Sequence, residues 1–161
     1  MKSLLIVYHS NTGATRQMAE AVARGAVAEA RVTLLQAAAA GPRAMLDADG
    51  YVLATPETLA AIAGPMKDFF DRCYYPLLGR IEGRPYALLV AAGSDGENAI
   101  RQLRRIATGW RLRAIAEPIL VRTGAQTPDA ILAPKTLPDA PRARCEELGA
   151  AFAAGLAMGI H

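Results

Sequence analysis

Short, nearly unbroken apolar runs alternate along the chain with longer stretches in which apolar residues return at helical spacing. Ser3–Tyr8 (SLLIVY) is almost continuously aliphatic, which suits a strand covered on both faces. From Ala14 to about Glu29, Met18, Val22 and Ala26 recur with Arg16, Glu20 and Arg24 between them, which predicts an amphipathic helix. ARVTLLQ (30–36) reads as a second strand, and GYVLATP (50–56) as a third that ends at Pro56. The low-complexity AAAAGP (37–42) lies between them. A helix then starts near Pro65, a residue suited to a first helical position. In it Met66 stacks on Phe70 and Phe69 on Cys73, while Lys67 and Asp71 pair on the exposed side. RPYALLVAAG (84–93) predicts a fourth strand, GENAIRQLRRIATGW (96–110) a third helix, and AEPILVRTG (116–124) a fifth strand. The Pro-rich stretch Thr127–Pro138 reads as irregular. A last helix from about Pro141 puts Cys145, Leu148, Phe152 and Leu156 on one stripe.

Strands that alternate with helices over the whole length predict a parallel sheet with helices on both faces. No repeat or linker interrupts the 161 residues, so one domain over 1–161 is expected, with room for one full core. Ligands of such sheets sit beyond the carboxyl ends of the strands. That rule singles out the loops Tyr8–Thr15, Thr55–Gly64 and Ala92–Asn98, all rich in Gly, Ser, Thr, Asn or Asp.

Composition narrows the picture. Hydrophobic residues at 52% and charged residues at 20% describe a globular chain. No apolar run approaches the roughly 20 residues of a membrane span, and Leu4–Val7 is too short for a secretory signal, so a cytoplasmic location is expected. Cys73 and Cys145 lack metal or redox spacing, which leaves buried or helix-surface thiols. The net charge is +3, and Arg101, Arg104 and Arg105 share a helical face. That face is a solvated one or a docking patch for a phosphorylated cofactor or an acidic partner. No aromatics interleave with the arginines, so no nucleic-acid partner is expected.

The first loop invites an anion. A Walker-type loop would need a lysine after its last glycine, a dinucleotide fingerprint more glycines, and a phosphate-accepting receiver acidic residues at the ends of strands one and three. The chain has none of these: Gly13 stands alone, and the two strand ends carry Tyr8-His9 and Thr55-Pro56. What remains is S-x-T-G-x-T, formed by Ser10, Thr12, Gly13 and Thr15 ahead of a helix N-terminus. Hydroxyls and N–H groups there favour negative charge. Hydrogen bonds to a charged phosphate contribute about 1.5–3 kcal/mol each, so four or five could hold a phosphomonoester without lysine or metal. A polar turn with Ser10 or Thr12 as a simple helix cap fits this loop equally well.

HSNTGAT after LLIVY, GYVLATPETLAAIAGPMKDFFDR and AAGSDGENAIRQLRRIATGW together resemble the flavodoxin-like superfamily, from Leu4 to Trp110. The resemblance implies a three-layer α/β/α fold with a five-stranded parallel sheet in the order 2-1-3-4-5, and FMN as cofactor. By it, Ser10, Asn11, Thr12, Gly13, Ala14 and Thr15 would hold the FMN phosphate. Thr55, Pro56, Glu57, Thr58 and Leu59 would line the ribityl chain and ring, and Gly93, Ser94, Asp95 and Gly96 would close the ring edge. Glu57 and Asp95 suit turn and solvent roles as well as flavin contact, and His9 reads as a structural hydrogen-bonder.

The second and third loops contain no Trp, Tyr or Phe, and the chain is basic, whereas many electron-carrier flavodoxins stack aromatics on the ring and are acidic. The resemblance therefore implies the NAD(P)H-dependent FMN or quinone reductase side of the superfamily. Electrons would pass from NAD(P)H through FMN to a quinone or other small acceptor, with no catalytic side chain and no metal assigned. The alternative is a flavodoxin-type carrier that docks a redox partner protein. Related reductases are often oligomers, so a homo-oligomer is an expectation by analogy.

Overall fold

The computed structural model describes residues 1–161. In chain order the elements are β1 Ser3–Tyr8, α1 Ala14–Ala26, β2 Arg31–Gln36, α2 Pro42–Asp47, β3 Gly50–Thr58, β4 Ala61–Ile62, α3 Gly64–Leu77, β5 Pro85–Ala92, α4 Glu97–Gly109, β6 Arg113–Ala114, β7 Ile119–Arg122, α5 Pro128–Leu132 and α6 Asp139–Ala157. The five long strands run parallel in the order β2-β1-β3-β5-β7. This is the expected order, with β7 as the fifth strand. The sheet counts seven strands and not five, because the two-residue β4 adds to β3 and the two-residue β6 pairs the start of β5.

Alternation within each central strand divides the core into two layers. Leu5, Val7, Tyr51, Leu53, Leu88 and Val90 point to one face, where α2, α3 and α4 supply Met45, Met66, Phe69, Phe70 and Leu103. Leu4, Ile6, Val52, Ala54, Ala87 and Leu89 point to the other, against Met18 and Val22 of α1 and Cys145, Phe152 and Leu156 of α6. Truncating a fully buried ring such as Phe152 costs about 3–5 kcal/mol in cores of this kind. Trp110 closes the first layer and meets Phe70 edge-on, with ring centroids 5.8 Å apart. On the second layer α1 and α6 cross at Gly25 and Gly149; a Cβ on either would collide with the main chain of the other helix. Arg24 and Glu146 pair across the same crossing at 2.9 Å.

Three segments depart from the sequence reading. The tail of AAAAGP enters the short helix α2, and Arg72 donates to the carbonyls of Ala40 at 2.8 Å and Ala37 at 2.9 Å, satisfying that stretch. β3 does not end at Pro56: Pro56 is the last rung against Ala91, after which Glu57 and Thr58 pair with Ile62 and Ala61 in a tight hairpin. Its two loop residues, Leu59 and Ala60, have φ of 49° and 62°, the left-handed pair that two-residue hairpins favour. Neither is a glycine or asparagine, so no turn signal marks the site. The Pro-rich stretch also folds, with Thr127 capping α5 by accepting from the Ala130 N–H at 3.2 Å.

Candidate functional site

The three polar loops converge at the carboxyl ends of β1, β3 and β5 around a cleft of about 550 Å³. Ser10, Asn11, Thr12, Ala14 and Thr15 form one wall, Pro56, Glu57, Thr58 and Leu59 a second, and Gly93, Ser94 and Asp95 a third. Of the residues expected at the site, Gly13, Thr55 and Gly96 stand behind these walls. Gly13 turns the chain into α1 with φ of 106°. Thr55 is fully buried, and its hydroxyl accepts from the Ala63 N–H at 3.1 Å and donates to the Pro56 carbonyl at 2.9 Å. Gly96 turns the chain into α4 with φ of 100°, and a side chain there would run into Leu120. His9 is not part of the cleft wall and bonds Asn11 Oδ1 at 2.9 Å.

Two helix N-termini face this region, and they are treated differently. At α4, the carboxylate of Glu57 accepts from the Gly96 N–H at 2.9 Å and the Ala99 N–H at 3.0 Å. The protein thus supplies its own anion there. Asn98 Nδ2 donates to the Ala60 carbonyl, and the Ile62 N–H donates to Gln102 Oε1 at 2.8 Å, so the whole hairpin is fastened to α4. At α1, Gly13 is the N-cap and no side chain caps it; Ser10 Oγ accepts from the Gly13 N–H at 3.2 Å instead. The simple Ser10 or Thr12 cap is therefore not what this loop forms. The N–H groups of the first turn have no intrahelical acceptor. Thr15 borders the cleft, and its Oγ1 is buried and without a hydrogen-bond partner. A buried polar atom left unpaired costs about 1–3 kcal/mol, and an anion with acceptor oxygens would satisfy both it and the free N–H groups.

The fourth wall was not readable from the sequence. Thr123, Ala125, Ile131, Leu132 and Lys135 line the cleft from the segment that follows β7. The Lys135 N–H donates to the Thr12 carbonyl at 2.7 Å. Gln17 Nε2 donates to the carbonyls of Gly13 at 2.9 Å and Lys135 at 2.7 Å, and its Oε1 accepts from the Leu137 N–H at 2.8 Å. One glutamine thus staples this strap to the loop ahead of α1. The proline content of the segment was the one available signal, and it marked irregularity, not position.

No histidine, cysteine or tyrosine lines the cleft. Both thiols are buried elsewhere, and burial pushes Cys73 and Cys145 each up to about 11. The free N–H groups of α1 and the unpaired Thr15 hydroxyl would suit an anionic group at that end of the cleft.

Residues 36–126 match the NADPH-dependent FMN reductase family, more than half of the chain. The chain belongs to that family. The match takes in the second and third loops and begins after the first, so the anion cradle ahead of α1 rests on its own geometry. A flavodoxin of Aquifex aeolicus is 33% identical over 98 residues, which cover 60% of this chain and 53% of the relative. The chain thus spans about half the length of that curated relative. Among solved structures, a WrbA-like flavodoxin from Agrobacterium tumefaciens superposes with a TM-score of 0.76 at 19% identity, covering 99% of each chain. An archaeal flavodoxin gives 0.77 at 18% identity, covering 96% of this chain and 98% of that one. A flavodiiron core from Synechocystis gives 0.80 at 20% identity, covering 98% of this chain and 36% of the other. These likenesses establish the flavodoxin-like fold of this FMN reductase family member.

Proposed function

We propose that residues 1–161 form one FMN-binding domain that takes electrons from NAD(P)H and passes them to a quinone or other small acceptor. The observation that carries this reading is the contrast between the two helix N-termini: α4 is filled by Glu57, whereas α1 meets the cleft with free N–H groups and the unpaired Thr15 hydroxyl. A phosphomonoester fits that gap. Ser10, Asn11, Thr12, Ala14 and Thr15 would hold the phosphate, with Gly13 setting the loop. Pro56–Leu59 and Gly93–Asp95 would flank the flavin, with Thr55 and Gly96 acting through the backbone they position.

Bound there, FMN would supply hydride and electron transfer. The chain's own residues bind, orient and partly shield it. Walls without aromatic rings leave a flavin face open to a nicotinamide and then to an acceptor, which supports turnover. The test is the visible spectrum of the purified protein with added FMN. Anaerobic NADPH should then bleach the flavin band and a quinone should restore it, and a flavin that NADPH never bleaches ends the reductase reading.

A carrier that docks a protein partner is the second reading. It is favoured by the exposed arginine face of α4, where Arg105 makes no ion pair while Arg104 holds Glu117 at 3.0 Å. It requires bound FMN that a redox partner reduces and NADPH alone does not.

A further inference from the structure

The outer face of α4 carries a groove of about 360 Å³ lined by Glu97, Ile100, Arg101, Arg104, Arg105 and Thr108. These positions share one helical face; Ile100 is buried and the three arginines are exposed. Other helices offset their exposed cations within one turn. Arg16 pairs with Glu20 in α1, Arg43 with Asp47 in α2, and Lys67 with Asp71 and Arg72 with Asp68 in α3. In α4 no such pair forms. Glu97, the one acid of the groove, turns to Arg122 at 3.3 Å. Arg101 bonds the neutral amide of Asn98 at 3.0 and 2.6 Å, and Arg104 meets the exposed Glu117 at 3.0 Å. Arg105 has no partner in the chain, so its guanidinium fork is free. Arg101 and Arg105, one turn apart, are like-charged neighbours that repel. An anion between them would relieve that repulsion and take up the free donors.

The groove begins where the cleft ends. Asp95 lines the cleft and Glu97 opens the groove two positions on. Asn98, which holds Arg101, also donates to the Ala60 carbonyl at the exposed hairpin tip. From Glu97 to Arg105 the helix advances about 12 Å, a span that an extended dinucleotide covers. We infer that this groove receives the 2′-phosphate of NADPH, with Arg101 and Arg105 as counter-charges and Arg104 beside them, so that the chain selects NADPH over NADH. This rests on the NAD(P)H reading above and names the coenzyme and the residues that choose it. Arginine forks match phosphate oxygens in pairs. The buried Ile100 gives the groove an apolar floor for the adenine, which a purely electrostatic docking patch for an acidic protein does not need.

The experiment titrates 2′,5′-ADP and, separately, 5′-AMP, which lacks the 2′-phosphate, into the FMN-loaded protein by calorimetry. The wild type is compared with R105Q, R101Q/R105Q and R31Q, the last removing a positive charge from β2, outside the groove. The KM values for NADPH and NADH are then measured with a quinone as acceptor. The wild type and R31Q are expected to bind 2′,5′-ADP about tenfold or more tighter than 5′-AMP. R101Q/R105Q should lose that advantage, and its preference for NADPH in KM should fall in parallel. Thermal melts identify a misfolded double variant, in which case R105Q alone carries the same comparison. A preference that survives these substitutions overturns the inference, as does an equal loss for both nucleotides or an equal loss in R31Q. A wild-type protein that uses NADPH and NADH alike, without telling the two nucleotides apart, also overturns it, leaves the reductase reading standing and gives the groove to an acidic protein partner. A flavin that neither coenzyme bleaches sinks both.

Discussion

Glu57 and Ala99 lie 42 positions apart in sequence and are joined by a single hydrogen bond of 3.0 Å, from the helix N–H to the carboxylate. With the companion bond from Gly96, this carboxylate locks the hairpin wall of the cleft to the wall that opens α4. Glu57→Ala leaves two helix-terminal N–H groups without an acceptor, and the expected loss is about 1–2 kcal/mol of stability. Because two walls loosen together, ligand affinity should fall as well. Chemical denaturation and FMN titration of E57A and E57Q measure both; a variant with unaltered stability would show that water replaces the carboxylate at no cost.

Thr15 should behave in the opposite sense. Its hydroxyl is buried and unpaired, so Thr15→Val removes an unsatisfied polar atom at nearly constant volume. The ligand-free protein is expected to gain up to about 1 kcal/mol, while FMN affinity drops by about tenfold or more. Thermal melts with and without FMN would reveal this crossing of signs. Loss of stability in both states would contradict it.

Ala60 occupies the second left-handed position of the hairpin turn. An L-residue there costs about 1–2 kcal/mol relative to relaxed backbone, a cost glycine avoids. Allowing for the greater freedom of glycine in the unfolded chain, A60G is expected to stabilise by about 0.5–1 kcal/mol. That corresponds to a rise in Tm of about 1–4 °C for a chain of this size. A melt that does not rise would show that contacts of the Ala60 methyl offset the strain.

Alkaline pH should weaken the fold through buried acids. Burial holds Cys73 and Cys145 each at about 11 against an ordinary 9.0, and Tyr51 at about 12 against 10.0. All three pKa values are raised in the folded state, so unfolding releases protons once pH passes the unfolded values. The stability is fully present below pH 9 and declines from there towards 11, by about 2–3 kcal/mol for each thiol. Urea midpoints at pH 8 and pH 10.5 test this, and C73A/C145A should flatten the slope. Thiol reagents should react only as the protein unfolds.

Gly149→Ala places a methyl group in the main chain of α1 at Val22. Relieving that contact separates α1 from α6, at an expected cost of about 1–3 kcal/mol, and α1 is the helix whose first turn borders the cleft. Denaturation of G149A measures the loss; a neutral substitution would mean that the helices slide apart freely.

The sheet was legible because β1, β3 and β5 are buried on both faces, so Leu4, Leu5, Ile6 and Val7 all had to be apolar. The first and third loops were legible because a strand end, a run of small polar residues and a helix start coincide there. The hairpin was not, since Leu59 and Ala60 carry no turn signature and tertiary bonds from Asn98 and Gln102 hold their arm instead. Nor was the strap: α5 has no buried stripe to produce a period, and Lys135 is tied to the cleft by bonds to Thr12 and to Gln17, 118 positions away. Local pattern records local burial. It does not record a polar bond between distant segments.

Gln17 also bonds the Leu137 N–H, across 120 positions, which sets a timetable. During synthesis the loop before α1 emerges long before its fourth wall, which must wait until the chain past Leu137 has left the ribosome. Such long-range closure is slow relative to local contacts. A nascent chain that has reached β5 already owns the central sheet but only part of the pocket. Ligand rescue of folding should therefore act late, once the chain past Leu137 is in place, and truncation after β7 should yield a sheet that assembles without acquiring its full binding strength.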